Sequence, residues 1–154
     1  MRDRIRPKKK YDDLLNKLKD DGIFDTRQKG MMFAASLGFR IDPSSESQNV
    51  ESYGEGIPVS IFSRSVDFSF IDALAVTYKG TLQILDDKDS DFRLELFEHF
   101  AAIGLEEIKA NCYEPGKDPV DGILNLIDQY SFESQNRDKL PGLDEIASNL
   151  GNIL

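Results

Sequence analysis

The sequence predicts a mainly α fold, an orthogonal bundle of five or six helices with a minor short hairpin. Three observations predict it. Apolar residues recur at three- and four-residue steps through most of residues 11–150. Glycine, proline and short polar runs punctuate those windows. Strand-like sequence is confined to short pieces such as Ile57 to Phe62, largely apolar and β-branched in part.

Taken in order, Tyr11, Leu14, Leu15 and Leu18 form the first helical stripe. Asp12 and Asp13 near its start and Lys17 and Lys19 near its end complement the macrodipole, and Gly22 supplies the stop. Asp25 or Thr26 caps a second helix running to about Leu37, with Gly38 as its stop. Its run from Met31 to Leu37 is apolar nearly all round, which predicts the central, most buried helix. Pro43 to Gly56 reads as a polar loop. Ile57 to Phe62 reads as an edge strand or an extended segment, because Pro58 lies within it. Ser65 or Asp67 caps a helix carrying Phe68, Ile71, Leu74, Ala75 and Tyr78. Thr81 to Leu85 fits either a short strand or a turn of helix. Beyond the acidic stretch, Leu94, Phe97, Ala101, Leu105, Ile108 and Cys112 mark the longest helix. Gly104 within it predicts a kink, a close packing contact or a break. Asp118-Pro119 opens a further helix with Val120, Ile123, Leu124, Ile127 and Tyr130. After a polar linker from Glu133 to Lys139, Pro141 starts a last short helix bearing Leu143, Ile146, Ala147 and Leu150.

The length, 154 residues, suits one domain with a real core. Residues 11–154 are read as that single helical domain, preceded by a basic flexible arm, residues 1–10. Arg2, Arg4, Arg6, Lys8, Lys9 and Lys10 against Asp3 alone give the arm +5, leaving -14 for the rest of a chain whose net charge is -9. An acidic body repels phosphate backbones over about 8–10 Å, so the arm can touch nucleic acid where the body does not. The other readings of the arm are a solvated tail or one docked on the acidic body. No apolar run reaches the roughly 18 residues of a membrane span. Tyr11 to Leu18 is amphipathic where a secretory signal needs unbroken apolar sequence. The single cysteine, Cys112, fits a reducing compartment, and the expectation is a cytoplasmic protein.

A catalytic apparatus is hard to assemble from these side chains. Nucleophilic catalysis needs a nucleophile beside a base. His99 and Cys112 are the only imidazole and thiol, thirteen residues apart in one helical window. His99 reads as a boundary residue and Cys112 as a core thiol. No metal and no cofactor are expected: zinc spacing is missing, and Gly54-Glu55-Gly56 lacks the strand, helix and lysine of a phosphate loop. Asp87, Asp89, Asp91, Glu95 and Glu98 match positions 1, 3, 5, 9 and 12 of an EF-hand loop, with Leu94 at position 8. Phe92 stands where glycine is required, so the stretch 86–98 reads as an acidic helix start in preference to a cation loop. Glu107-Ile108-Lys109 has the form of a nuclease triplet but lies in a helical window instead of a strand.

The first two helices, joined across Gly22 to Asp25, resemble a helix-turn-helix corner. The second opens with Arg27, Gln28 and Lys29, side chains suited to reading base edges from a first helical turn. The competing reading is a solvated first turn on a helix too apolar to lie in a groove.

Three stretches together resemble the family of DNA phosphorothioation-associated (Dnd-system-associated) proteins of the fourth type. The first is Phe33-Ala34-Ala35-Ser36-Leu37-Gly38-Phe39, and the second is Ile57 to Phe62 followed by Phe70 to Ala75. The third, Phe97 to Glu106, is similar to a Phe-Glu-Glu-Tyr-Ala-Asn-Gly-Gly-Leu-Glu block, from which His99, Ala102 and Ile103 depart. The resemblance spans about residues 8–110. It implies a setting: systems that replace a non-bridging phosphate oxygen of DNA with sulfur, and the restriction that depends on it. It brings no catalytic residues. The expectation is a non-catalytic accessory protein of such a phage-defence system, contacting larger modification or restriction proteins. The alternative is a small DNA-binding regulator using the basic arm and the Arg27, Gln28 and Lys29 corner.

Overall fold

The computed structural model describes residues 1–48 and 52–131, and it is mainly α as the periodicity predicts. Among the described residues there are six α-helices and one two-stranded antiparallel ladder. The elements are β1 (Arg4–Ile5), α1 (Asp12–Asp20), α2 (Arg27–Ile41), β2 (Ile57–Pro58), α3 (Val59–Ser63), α4 (Asp67–Lys79), α5 (Ser90–Cys112) and α6 (Pro119–Tyr130). The helix expected from Pro141 lies outside the described residues, as does the linker before it.

Local chemistry accounts for most boundaries. Helix α1 buries Leu14, Leu15 and Leu18 and ends in a turn where Gly22 takes φ 72°. Thr26 caps α2, its side chain accepting from the Lys29 N–H at 3.2 Å. Ser65 Oγ accepts from the Asp67 N–H at 3.3 Å at the start of α4. Asp118 caps α6 at 3.0 Å ahead of Pro119. Leu82–Leu85 resolves as a 3-10 turn, one of the two forms the sequence allowed.

Three expectations change. Gly38 does not stop α2, which continues to Ile41 with the Asp42 N–H bonded to the Gly38 carbonyl at 3.1 Å. It is instead the point where α2 crosses α5. A Cβ there would sit 2.8 Å from the Phe100 carbonyl carbon, and one on Gly104 would sit 2.8 Å from the Ala34 Cα. The two glycines let the two backbones touch, so Gly104 marks close packing and α5 runs through it unbroken. The central helix is α5, not α2. It buries thirteen of its residues, among them Leu94, Phe97, Phe100, Leu105 and Ile108, and α2, α4 and α6 all pack on it. The Ile57–Phe62 stretch divides into β2 and the short α3, which buries Val59 and Phe62.

The residues expected as a flexible arm pack onto this core. Ile5 is fully buried, and β1 pairs with β2 in the register Ile5 to Ile57 and Arg4 to Pro58. The ladder continues as Val59 N–H to the Asp3 carbonyl (2.8 Å), Gly54 N–H to Pro7 (2.9 Å) and Lys9 N–H to Ser52 (3.1 Å). The physical reason is Ile5, an apolar anchor among basic residues whose strand partner, Ile57, lies 52 residues further along the chain.

Candidate functional site

The basic segment reaches the body through charge. The Arg2 guanidinium lies 3.1 Å from Glu98, and the Arg6 N–H donates to the same carboxylate. Glu98 is 7% exposed; burial pushes its carboxyl above the usual range even though Arg6 and Arg2 oppose the shift. Arg4 donates to the Gly56 carbonyl at 2.7 Å, and the Arg6 guanidinium covers the Tyr53 ring at 4.1 Å. Lys10 lies 3.4 Å from Glu106, which also accepts from the Tyr11 hydroxyl. Lys9 is exposed. Lys8 borders His99 in a cleft of about 460 Å³ with Arg6, Tyr53, Glu95 and Glu98. Burial and the Lys8 charge lower the His99 pKa, which favours the neutral ring, and its Nε2 is 2.9 Å from Ser45 Oγ. The cleft therefore sets two cationic side chains against two carboxyls.

The corner at the start of α2 is equally committed. Arg27 donates to Asp12 (2.8 Å), Asn16 (2.8 Å) and the Glu55 carbonyl (3.1 Å). Asp12 also accepts the Glu55 N–H at 3.0 Å, so the Gly54-Glu55-Gly56 loop holds a carboxylate of its own chain. Gln28 is buried and donates to Asp67, and Lys29 Nζ lies 3.0 Å from the same residue. Burial works to raise the Asp67 pKa, but the hydrogen bonds from Lys29 and Ser65, the Lys29 charge and the Gln28 bond outweigh it and hold the carboxyl below its usual range. The structure thus divides the candidate residues into two groups on separate acidic anchors. Residues 2–10 run along α5, while Arg27, Gln28 and Lys29 face α1, α4 and the loop before β2.

Sequence reasoning missed Arg93. It is 6% exposed and ties α5 to α4 through Asp72 (2.9 Å) and to the preceding turn through the Ile84 (2.8 Å) and Asp86 (3.0 Å) carbonyls. An arginine at a core-facing helical position was its only signal. The EF-hand-like acids do not gather: Asp87 and Asp89 lie on a 3-10 turn, and Glu98 turns to Arg2. No group of three or more His, Cys, Asp or Glu among the described residues is placed to hold a metal ion. Cys112 is fully buried and its thiol is pushed up to about 11 by that burial, far from the thiolate state. Glu107, Ile108 and Lys109 are on α5, with Ile108 in the core. No helix among the described residues is long and apolar enough to cross a membrane.

The stretches Phe33–Phe39 and Phe97–Glu106 meet at the Gly38–Gly104 crossing, so the resemblance they carry is one of packing. Residues 4–145 match the family model for DNA sulphur modification system-associated protein 4. The chain belongs to this family. That membership of the DNA sulphur modification system-associated protein 4 family associates it with a DNA sulphur modification system, the setting the resemblance implied. No curated protein and no solved structure matches the chain.

Proposed function

We propose that the chain is a non-catalytic accessory protein of a DNA sulphur modification system, acting in the cytoplasm through contacts with larger modification or restriction proteins in phage defence. The observation that carries this reading is where its basic side chains go. Arg2, Lys10, Arg27 and Lys29 are ion-paired to Glu98, Glu106, Asp12 and Asp67, and Gln28 is buried against Asp67. A DNA-binding surface needs cations free to displace counterions from phosphates. Here they neutralise the chain's own acids, and a net charge of -9 remains. Such a molecule is steered toward positively charged, DNA-handling proteins and away from the duplex itself.

The test pairs two measurements on the full chain. Purified protein is run by size exclusion with each purified modification or restriction protein of its system at low and moderate salt. Co-elution with at least one, weakened by salt, is the expected result. Duplex DNA is then titrated in a gel-shift assay at low salt. A mobility shift with DNA, together with no co-eluting protein, would reject the accessory reading in favour of a DNA-binding regulator.

A further inference from the structure

Among the described residues, the basic side chains that are half-buried or buried belong to Arg2, Arg6, Lys8, Arg27, Arg40 and Arg93. Arg2, Arg27 and Arg93 are ion-paired to Glu98, Asp12 and Asp72, and Arg40 donates to the Tyr130 carbonyl. The Arg6 and Lys8 side chains meet no hydrogen-bond or ion-pair acceptor among the described residues, and the Arg6 Nε is buried without one. Acids are not scarce in this chain, with 28 Asp and Glu against 19 Lys and Arg. A sheltered cation left without an acceptor is costly, so this pair marks a place for an anion that the chain does not itself supply.

Both side chains line the same cleft of about 460 Å³, a volume within the range of small-molecule sites. They stand two apart on an extended segment, which sends them to one side. Across from them on α5, Phe92, Glu95 and His99 step by three and four residues along one wall. Tyr53, bridged to Lys8, adds an aromatic wall on which the Arg6 guanidinium lies. The carboxyls of the cleft do not cancel this pair of charges. Glu98 already holds Arg2 at 3.1 Å, and Glu95 is exposed at the rim. Two unmatched cations fit one phosphate monoester, which carries about −1.5 to −2 at pH 7, better than a carboxylate with its single charge. The arginine offers a planar fork and the lysine a point charge to its oxygens. Phe92 and Tyr53 give apolar surface to an organic body, and Glu95 can accept from its hydroxyl or amino groups. A continuous phosphate backbone would meet the acidic body as well, where a small ester meets the cleft alone.

We propose that this cleft binds a small organic phosphate monoester, its phosphoryl group held between Arg6 and Lys8 beside His99. The site is independent of the accessory role. Isothermal titration calorimetry of the full chain at low salt tests it, with adenosine 5′-monophosphate as the probe and adenosine and inorganic phosphate for comparison. The monophosphate should bind about tenfold or more tightly than adenosine, and inorganic phosphate should compete with it. Arg6→Gln and Lys8→Gln should each weaken binding about tenfold or more, while Lys9→Gln, exposed on the same segment, leaves it unchanged. Arg6→Gln also gives up the Tyr53 ring, so Lys8→Gln decides the matter if the first variant loses its urea midpoint. Absence of binding by both the monophosphate and inorganic phosphate at millimolar concentration would overturn the proposal. So would adenosine binding as tightly as the monophosphate, or an affinity that Lys8→Gln leaves intact. Duplex DNA bound more tightly than the monophosphate, and released by the same substitutions, would also overturn it and make the cleft a nucleic-acid contact.

Discussion

Asp67 shows how a single buried carboxylate organises part of this molecule. It is 6% exposed, accepts from Gln28 and Lys29 of α2, and so holds the start of one helix to the start of another. Its folded-state pKa is depressed, so its contribution is complete above the ordinary carboxylate range and is lost as pH falls through the folded value. Asp67→Asn should therefore lower stability at neutral pH by about 1–3 kcal/mol, with the gap to the parent chain closing in acid. Urea melts at pH 7 and at successively lower pH would check this; a gap that does not change with pH would refute the role given to the charge. Glu98 has the opposite sign. Its raised pKa means the folded state favours the protonated form, so its contribution weakens as pH rises through the folded value.

Among the elements, the α2–α5 crossing is the most constrained contact. Gly38 and Gly104 face backbone atoms, which cannot rotate aside as a flexible side chain would. Gly38→Ala or Gly104→Ala should each cost about 3 kcal/mol by forcing the helices apart, even though alanine favours the helix locally. Ser36→Ala, on the exposed face of α2, is the matched control and should change stability by less than about 0.5 kcal/mol. Equal midpoints in chemical denaturation for all three variants would remove the crossing as an explanation. The same contact explains what the sequence made legible. Stripes such as Leu14, Leu15 and Leu18, and caps such as Thr26 and Asp118, are local signals and place five of the helices. A glycine inside an apolar helix has two local meanings, a stop or a close approach, and only the position of α5 decides between them for Gly38. At the candidate site the sequence placed Arg27, Gln28 and Lys29 correctly in a first helical turn. Their partners Asp12 and Asp67 lie 15 and 38 to 39 residues away, a distance no local pattern encodes.

For the molecule as a whole, the N-terminal segment closes the fold by joining residues far apart in the chain. It pairs with residues 52–59 and crosses α5 at Glu98, so its removal would strip a strand, an apolar anchor and a buried ion pair together. Deleting residues 1–10 is consequently a poor probe of nucleic-acid contact, because lost binding and lost folding would look alike. Single substitutions separate the two. Ile5→Ala removes a fully buried side chain and should cost about 3 kcal/mol, with faster amide exchange in β2 and α3. Lys9→Gln, at an exposed position of the same segment, should leave stability within about 0.5 kcal/mol. A solvated arm predicts instead that both variants melt like the parent chain. Equal melting would also return Arg2, Arg4, Arg6 and Lys8 to the pool of cations free to meet a phosphate backbone.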